Sequence, residues 1–283
     1  MPDARDERRH RPGPGRQWLE WWELVFWAAD ASLGGSVRLT LVPGAMRAWL
    51  WSDLLGRGRP LVTARDDEVA LPRSDALEVR AEGLWSCLTC ETPMEHWSVG
   101  LEAFAVALED PDEAVAGARG DRVPMGIDLE WEADGPAEDT LALGLQAGGR
   151  RYEQPASVHG EVLIGAERLQ LDCAGWRVRG WGQADWSAAS GWTAARVGPG
   201  PGRALSHSWT GEGSAGSGGE TMHVDPLQRA PIDVRGPRPA VLGRLERSLC
   251  RVRDRDGAQG HGWTESFLPA LPAAGRVSPD ELP

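Results

Sequence analysis

The stretch 175–186, GWRVRGWGQADW, sets two arginines and one carboxylate, Asp185, among three tryptophans. A carboxyl buried in apolar company holds its proton to a higher pH than it would in water, and can then serve as a general acid. The guanidinium groups of Arg177 and Arg179 cannot take that role, because arginine stays protonated at any working pH. They are suited to binding an anion or anchoring a carboxylate. Other residues able to move a proton are few. His96 follows Glu95 at the start of an alternating run, ETPMEHWS. His159 and Glu161 lie two apart in SVHGEV, so on a strand they share one face. Glu265 stands in the run GHGWTESF. Each has an ordinary alternative: Asp185 as the salt-bridge partner of Arg177 or Arg179, His96 as a rim or core histidine, His159 and Glu161 as a chance pairing. Asp128, Glu130 and Glu132 in IDLEWE read as a solvated stripe opposite Ile127, Leu129 and Trp131.

Several chemistries find no support in the residue types. All 30 basic residues are arginine, so a lysine Schiff base is unavailable. Cys87-Leu-Thr-Cys90 has the spacing of a redox or zinc pair, but it sits in an alternating run, where positions three apart face opposite ways. No second such pair accompanies it, and no HExxH, P-loop, dinucleotide or GxSxG motif occurs. Neither a metal nor a cofactor is expected. A formal net charge of −12 argues against nucleic acid as a partner, since a phosphate backbone selects a basic face.

The elements that must position these groups are strands. Helical periodicity is nearly absent. Short alternating or apolar runs recur between Gly, Pro and Asp punctuation, as in WWELVFWAAD, SVRLTLV and MRAWLWSDLL. About fifteen such runs predict an all-β chain of antiparallel sandwiches or barrels. The alternation lapses over 133–157, which predicts an N-terminal β-barrel domain over 18–150 and a C-terminal one over 151–270. Residues 1–17, rich in charge and proline, predict a disordered tail, and 271–283 a second tail. No run of 18 apolar residues occurs, so no membrane span and a cytoplasmic location are expected, as a monomer or homodimer.

The 15 tryptophans, against 3 Phe and 1 Tyr, exceed what a core of this size needs. Large flat rings with few hydroxyls suit a pocket for a hydrophobic small molecule, and they can stabilise a developing carbocation. Strand alternation places Arg177, Arg179 and Trp181 on one face. The glycines at 175, 180 and 182 imply a bend or a close backbone approach. An arginine in that setting must find a carboxylate or a ring face, so Arg177 is expected to be buried and paired with Asp185 or Glu265, with Trp181 facing a cavity.

GWRVRGWGQADW resembles the signature G-x-R-D-H-S-W-G-x-R-D-W of the carotenoid 1,2-hydratase (hydroxyneurosporene synthase) and AttH-like superfamily. WWELVFWAADASLGG, CETPMEHWSVGLEAF and GHGWTESF are similar to actinobacterial members. Gly175, Arg177, Trp181, Gly182, Asp185 and Trp186 match the signature, whereas Val178 and Arg179 stand where the family has its Asp-His pair. The resemblance implies two tandem lipocalin-like barrels, or strongly curved sheets, with a ligand site in or between them. It further implies hydration, cyclisation or isomerisation of a polyene, isoprenoid or polyketide-like substrate without a redox cofactor. The alternative is a carrier that keeps the pocket without the chemistry. On this reading Asp185, His96 and Glu265 are the candidate catalytic residues, Glu265 matching a position near the barrel mouth. Trp27, Trp97, His159, Arg177, Arg179, Trp181 and Trp186 are the candidate ligand contacts.

Overall fold

The computed structural model describes residues 1–15, 17–115, 117, 119–146, 148–184, 186, 191–198, 223–235, 241–253, 257 and 259–270, and the backbone course of 205–210. The chain is all-β. Its first strands are β1 (Trp18–Trp27), β2 (Gly34–Val42), β3 (Arg47–Leu55), β4 (Leu61–Ala70), β5 (Leu77–Ala81), β6 (Leu84–Thr92), β7 (His96–Leu108) and β8 (Asp121–Ala133). After them come β9 (Glu138–Asp139), β10 (Arg150–Ile164), β11 (Glu167–Gln183), β12 (Trp192–Gly198) and β13 (Leu205–Thr210). The last three are β14 (His223–Arg235), β15 (Val241–Arg253) and β16 (Gln259–Pro269).

The first sheet runs β4-β3-β2-β1-β11-β10-β8-β7 and then closes on itself, because β4 also pairs β7 through Leu61–Leu108, Val62–Ala107 and Thr63–Val106. The result is a lipocalin-like antiparallel barrel, with the β5–β6 hairpin continuing from β7. The second sheet has the order β13-β12-β16-β15-β14 and packs against the outside of the barrel.

Strand alternation sorts β1 between two compartments. Trp22, Leu24 and Phe26 point into the barrel beside Val37, Leu39, Trp97, Leu129 and Trp131. Val25 and Trp27 point outward and meet Trp176, Leu249 and Trp263, which joins the two sheets. Farther along the seam Trp51 packs with Trp192, Ile232 and Phe267. Each buried indole removes roughly 150–250 Å² from water, so the three tryptophans of the first seam cluster supply on the order of 10 kcal/mol of gross stabilisation at ~25 cal/mol per Å².

Two of the glycines read as close-approach sites serve that purpose. A Cβ at Gly175 would lie 2.6 Å from the Val25 carbonyl oxygen. The space it leaves lets the Trp131 indole donate to that same oxygen at 3.1 Å. A Cβ at Gly180 would lie 2.2 Å from the Trp21 ring.

Two organisational expectations differ from the structure. Residue 150 does not divide the sheets, since β10 and β11 both lie beyond it and both belong to the first sheet. They bridge β8 to β1, and the barrel cannot close without them. Residues 1–17 were expected to form a disordered tail, yet Asp6 and Glu7 are buried in the barrel mouth. Ion pairs dock that segment rather than apolar surface, and composition does not register those. The tail expected over 271–283 lies outside the described residues. No helix among the described residues is long and apolar enough to cross a membrane.

Candidate functional site

The seam between barrel and second sheet holds an unusual density of buried charge. Strands of both sheets send ionic residues into it: Glu23 from β1, Arg38 from β2, Asp53 from β3, the half-buried Arg65 from β4, Arg151 and Glu153 from β10, Arg196 from β12, Arg247 from β15 and Glu265 from β16. Glu23 and Arg38 are directly opposite one another across β1 and β2. Arg247 reaches three carboxyl groups, with Nε 3.0 Å from Glu23 and 3.6 Å from Glu265, and Nη1 3.4 Å from Asp53. Arg38 Nη1 lies 3.5 Å from both Glu23 and Glu265. Arg65 holds the other side of Asp53 at 2.7 Å, and Arg196 and Arg151 both grip Glu153. Trp21 and Trp51 lie against the Arg38 guanidinium at 4.9 and 5.7 Å.

Within this network the carboxyls of Glu23 and Glu265 are adjacent and titrate in opposite directions. Burial pushes Glu265 up, but Arg38, Arg247 and Arg196 more than offset it, and its pKa is held at about 2. Burial, together with the negative charge of Glu265, raises Glu23 above the ordinary carboxyl range, against the pull of Arg247, Arg38 and Arg196. Two like charges so close in a low-dielectric site cannot both be ionised cheaply, and one takes the proton. The surroundings favour the proton on Glu23 and the charge on Glu265. Among the described residues, Arg196 Nη1 and Arg247 Nη2 beside them find no hydrogen-bond acceptor.

The barrel mouth forms a second polar locus, on the opposite face of β1 and β11. Arg177 is buried there as expected, and among the described residues its carboxylate partner is Glu7, at 3.1 Å, rather than Glu265. The Gln154 side-chain oxygen accepts from Arg177 Nη2, and the Gln154 amide nitrogen donates to the Met94 and Gly135 carbonyls at 2.9 Å each. Arg179 pairs with Glu20 and donates to the Arg8 carbonyl at 2.9 Å. On Trp181, expected to face a cavity, the His10 ring is stacked with centroids 4.1 Å apart. A cavity of about 350 Å³ opens beside Glu7, lined by Trp22, Trp97, Leu77 and Leu88 among others.

The other candidate residues disperse. Glu265 sits in the seam, and Trp27 is buried in the same interface. Trp186 packs on Phe267 at the seam's edge, with ring centroids 5.0 Å apart. Trp97 belongs to the mouth, where its indole donates to Glu7 at 3.1 Å. His96 lies on the outside of the barrel with Nε2 2.6 Å from Glu130, and His159 is exposed on the same face. Neither approaches Glu265, because the strands that carry them turn those positions to solvent. Asp185 lies outside the described residues. Cys87 and Cys90 are free thiols, and burial pushes Cys90 up to about 11. Among the described residues no group of three or more His, Cys, Asp or Glu side chains is arranged to hold a metal.

Sequence reasoning passed over Glu23, Glu7 and Gln154. For Glu23 a signal existed: one carboxylate inside WWELVFW must be buried, and a buried carboxylate must be paired or protonated. Glu7 carried no such signal, since its neighbours are charged.

Comparison with known proteins agrees with the architecture. The structure is similar to the crystal structure of CghA with Sch210972, with a TM-score of 0.52 at 10% identity over 90% of this chain and 89% of that one. It is also similar to the crystal structure of an AttH candidate from Nitrosomonas europaea, with a TM-score of 0.55 at 12% identity over 90% of this chain and 94% of that one. At such identity the likeness is one of fold. No curated protein matches the sequence. A family profile does match, over residues 3–219, which takes in the barrel mouth, the whole first sheet and the start of the second; the chain belongs to the family described as domain of unknown function DUF7064.

Proposed function

We propose that this protein acts on an apolar small molecule by acid–base chemistry in the seam between its sheets, by hydration, cyclisation or isomerisation of a polyene, isoprenoid or polyketide-like substrate. One observation carries the reading: Glu23 and Glu265 adjoin each other on the same two guanidinium groups, Arg38 and Arg247, in surroundings that raise the one and lower the other. A pair of carboxyls whose environments drive their pKa values apart supplies an acid and a base at one pH. Glu23 would give its proton to a double bond or a carbonyl oxygen, and Glu265 would accept one from the neighbouring carbon or from an attacking water. The Trp21 and Trp51 rings suit the cationic character of the intermediate. The free N–H groups of Arg196 and Arg247 suit a developing oxyanion.

The test is a panel of polyene, isoprenoid and polyketide-like compounds incubated with the protein and followed by mass spectrometry. The expected products are a gain of one water, or an isomer of unchanged mass with a new retention time, and Glu23→Gln should abolish both. Wild-type turnover by Glu23→Gln would sink the assignment. The replacement of the signature's Asp-His pair by Val178 and Arg179 favours a second reading, a carrier. Tryptophan quenching by the panel with no product after long incubation would select it.

A further inference from the structure

In the barrel mouth the Glu7 carboxylate is held as a bound anion is held by a receptor. Four donors converge on it: Arg177 Nη1 at 3.3 Å and Nη2 at 3.1 Å, the Trp97 indole at 3.1 Å, and the Met94 backbone N–H at 3.2 Å. All four belong to the barrel wall and its β6–β7 turn, whereas Glu7 comes from a segment that contributes no strand. The receptor is braced without Glu7. Gln154 is fixed by two carbonyls and in turn fixes the Arg177 guanidinium, which also lies 5.7 Å from the Trp97 ring centroid. Beside the carboxylate opens a cavity of about 350 Å³, walled by Trp22, Trp97, Leu77 and Leu88 of the barrel and by Glu7, Arg8 and Arg9 of the N-terminal segment, so that it widens when the segment lifts. That volume is within the range that small-molecule sites occupy.

From this geometry we infer that the barrel mouth is a binding site for a small molecule with one carboxylate on an apolar body, and that Glu7 occupies its anion subsite in place of that ligand. The site is independent of the seam and of the chemistry proposed there. The carboxylate of the ligand takes the Arg177, Trp97 and Met94 donors, and its apolar body fills the neighbouring cavity. Residues 3–10 must then lift away. Their other ties are the Asp6–Arg150 pair at 3.4 Å, the hydrogen bonds from Arg9 to the Pro72 and Ser74 carbonyls, and those from His10 to Glu20. Further ties are the hydrogen bond from the Trp22 indole to the Glu7 carbonyl at 3.4 Å, the contact of Arg179 with the His10 ring and the Arg8 carbonyl, and the stacking of His10 on Trp181. A competing internal anion lowers apparent affinity by the fraction of molecules in which the site is free. Weakening Glu7 should therefore strengthen ligand binding.

The probe is cis-parinaric acid, whose fluorescence reports an apolar site, compared with its methyl ester on the full-length protein. Glu7→Gln should bind the acid at least tenfold more tightly than wild type does, and the ester should gain no such advantage. Adding Arg177→Met to Glu7→Gln should remove the preference for the acid. If circular dichroism shows that this double variant is unfolded, Trp97→Phe in the Glu7→Gln background, which keeps the ring and loses the donor, should weaken acid binding several-fold. On wild type, saturating acid should speed tryptic cleavage after Arg8 and Arg9. Equal affinity of wild type and Glu7→Gln for the acid, equal binding of acid and ester, or unchanged cleavage at saturation would each overturn the inference.

Discussion

Replacing Glu23 or Glu265 of the seam by glutamine exchanges the same oxygen for an amide nitrogen, but the two substitutions should not cost the same. Glu265 is fully buried and its pKa falls from the ordinary 4.5 to about 2. At ~1.4 kcal/mol per tenfold change in proton affinity, that depression corresponds to about 3 kcal/mol of stability at neutral pH, and burial leaves little solvent screening to discount. Glu265→Gln gives up this term and leaves Arg38 and Arg247 short of a counter-charge, so a loss of about 3–5 kcal/mol is expected. For a chain of this size that is a fall in Tm of roughly 10 °C. Burial and the neighbouring Glu265 charge disfavour the ionised form of Glu23, so Glu23→Gln, which supplies an uncharged group of the same shape, should cost less than about 1 kcal/mol. The pH dependence separates them further. A carboxyl with a lowered pKa adds stability above its unfolded value and loses it as the pH falls toward the folded one. The Glu265 contribution should therefore fade between about pH 4.5 and 2. Glu23 has the opposite sign: its contribution is complete below the unfolded value and declines as the pH climbs toward its raised one. Glu23→Gln should thus gain on wild type as the pH rises above the unfolded value of about 4.5. Thermal melts of both variants from pH 3 to 9 test this. Equal losses at pH 7, or a larger loss for Glu23→Gln, would refute the assignment of which carboxyl holds the proton.

Other outcomes follow from packing and exposure. Gly175→Ala sets a methyl 2.6 Å from the Val25 carbonyl oxygen, which the strand pairing holds in place; a loss of about 1–3 kcal/mol in urea unfolding is expected, and none at all would show that the approach is looser. His96→Asn removes a half-exposed pair with Glu130 and should shift stability by less than about 1 kcal/mol, with turnover of any identified substrate unchanged; a large drop in turnover would return His96 to the site. Cys90, held up at about 11, should alkylate at pH 8 more slowly than a free thiol of ordinary pKa, as peptide mapping would show.

The strands were legible because alternation is written locally: WWELVFWAAD, SVRLTLV and MRAWLWSDLL are β1, β2 and β3. The shared face of Arg177, Arg179 and Trp181 was legible for the same reason. What escaped was pairing between distant residues of ordinary composition. Glu7 meets Arg177 across 170 positions, and nothing in MPDARDERRH distinguishes that glutamate from its charged neighbours. The barrel closes where β4 meets β7 over three residue pairs, too short a contact to mark either run. Lone charges inside apolar strands, Glu23, Arg38 and Asp53, were visible but were not gathered into one network, because each is conspicuous only beside the others.

The strict alternation of β1 has a consequence for folding fidelity. Glu23 sits between Trp22 and Leu24 and faces Arg38 across the ladder, while its two neighbours serve the hydrocarbon interior. A slip of β1 by one residue against β2 would exchange these roles, driving a carboxyl among leucines and a leucine among guanidinium groups. A purely apolar strand, buried on both faces, would tolerate such a slip at modest cost and could settle in either alignment. The ionic residues of the seam act as a key that only one alignment turns, so their replacement by apolar residues should yield a chain that is no less compact but is heterogeneous in strand pairing.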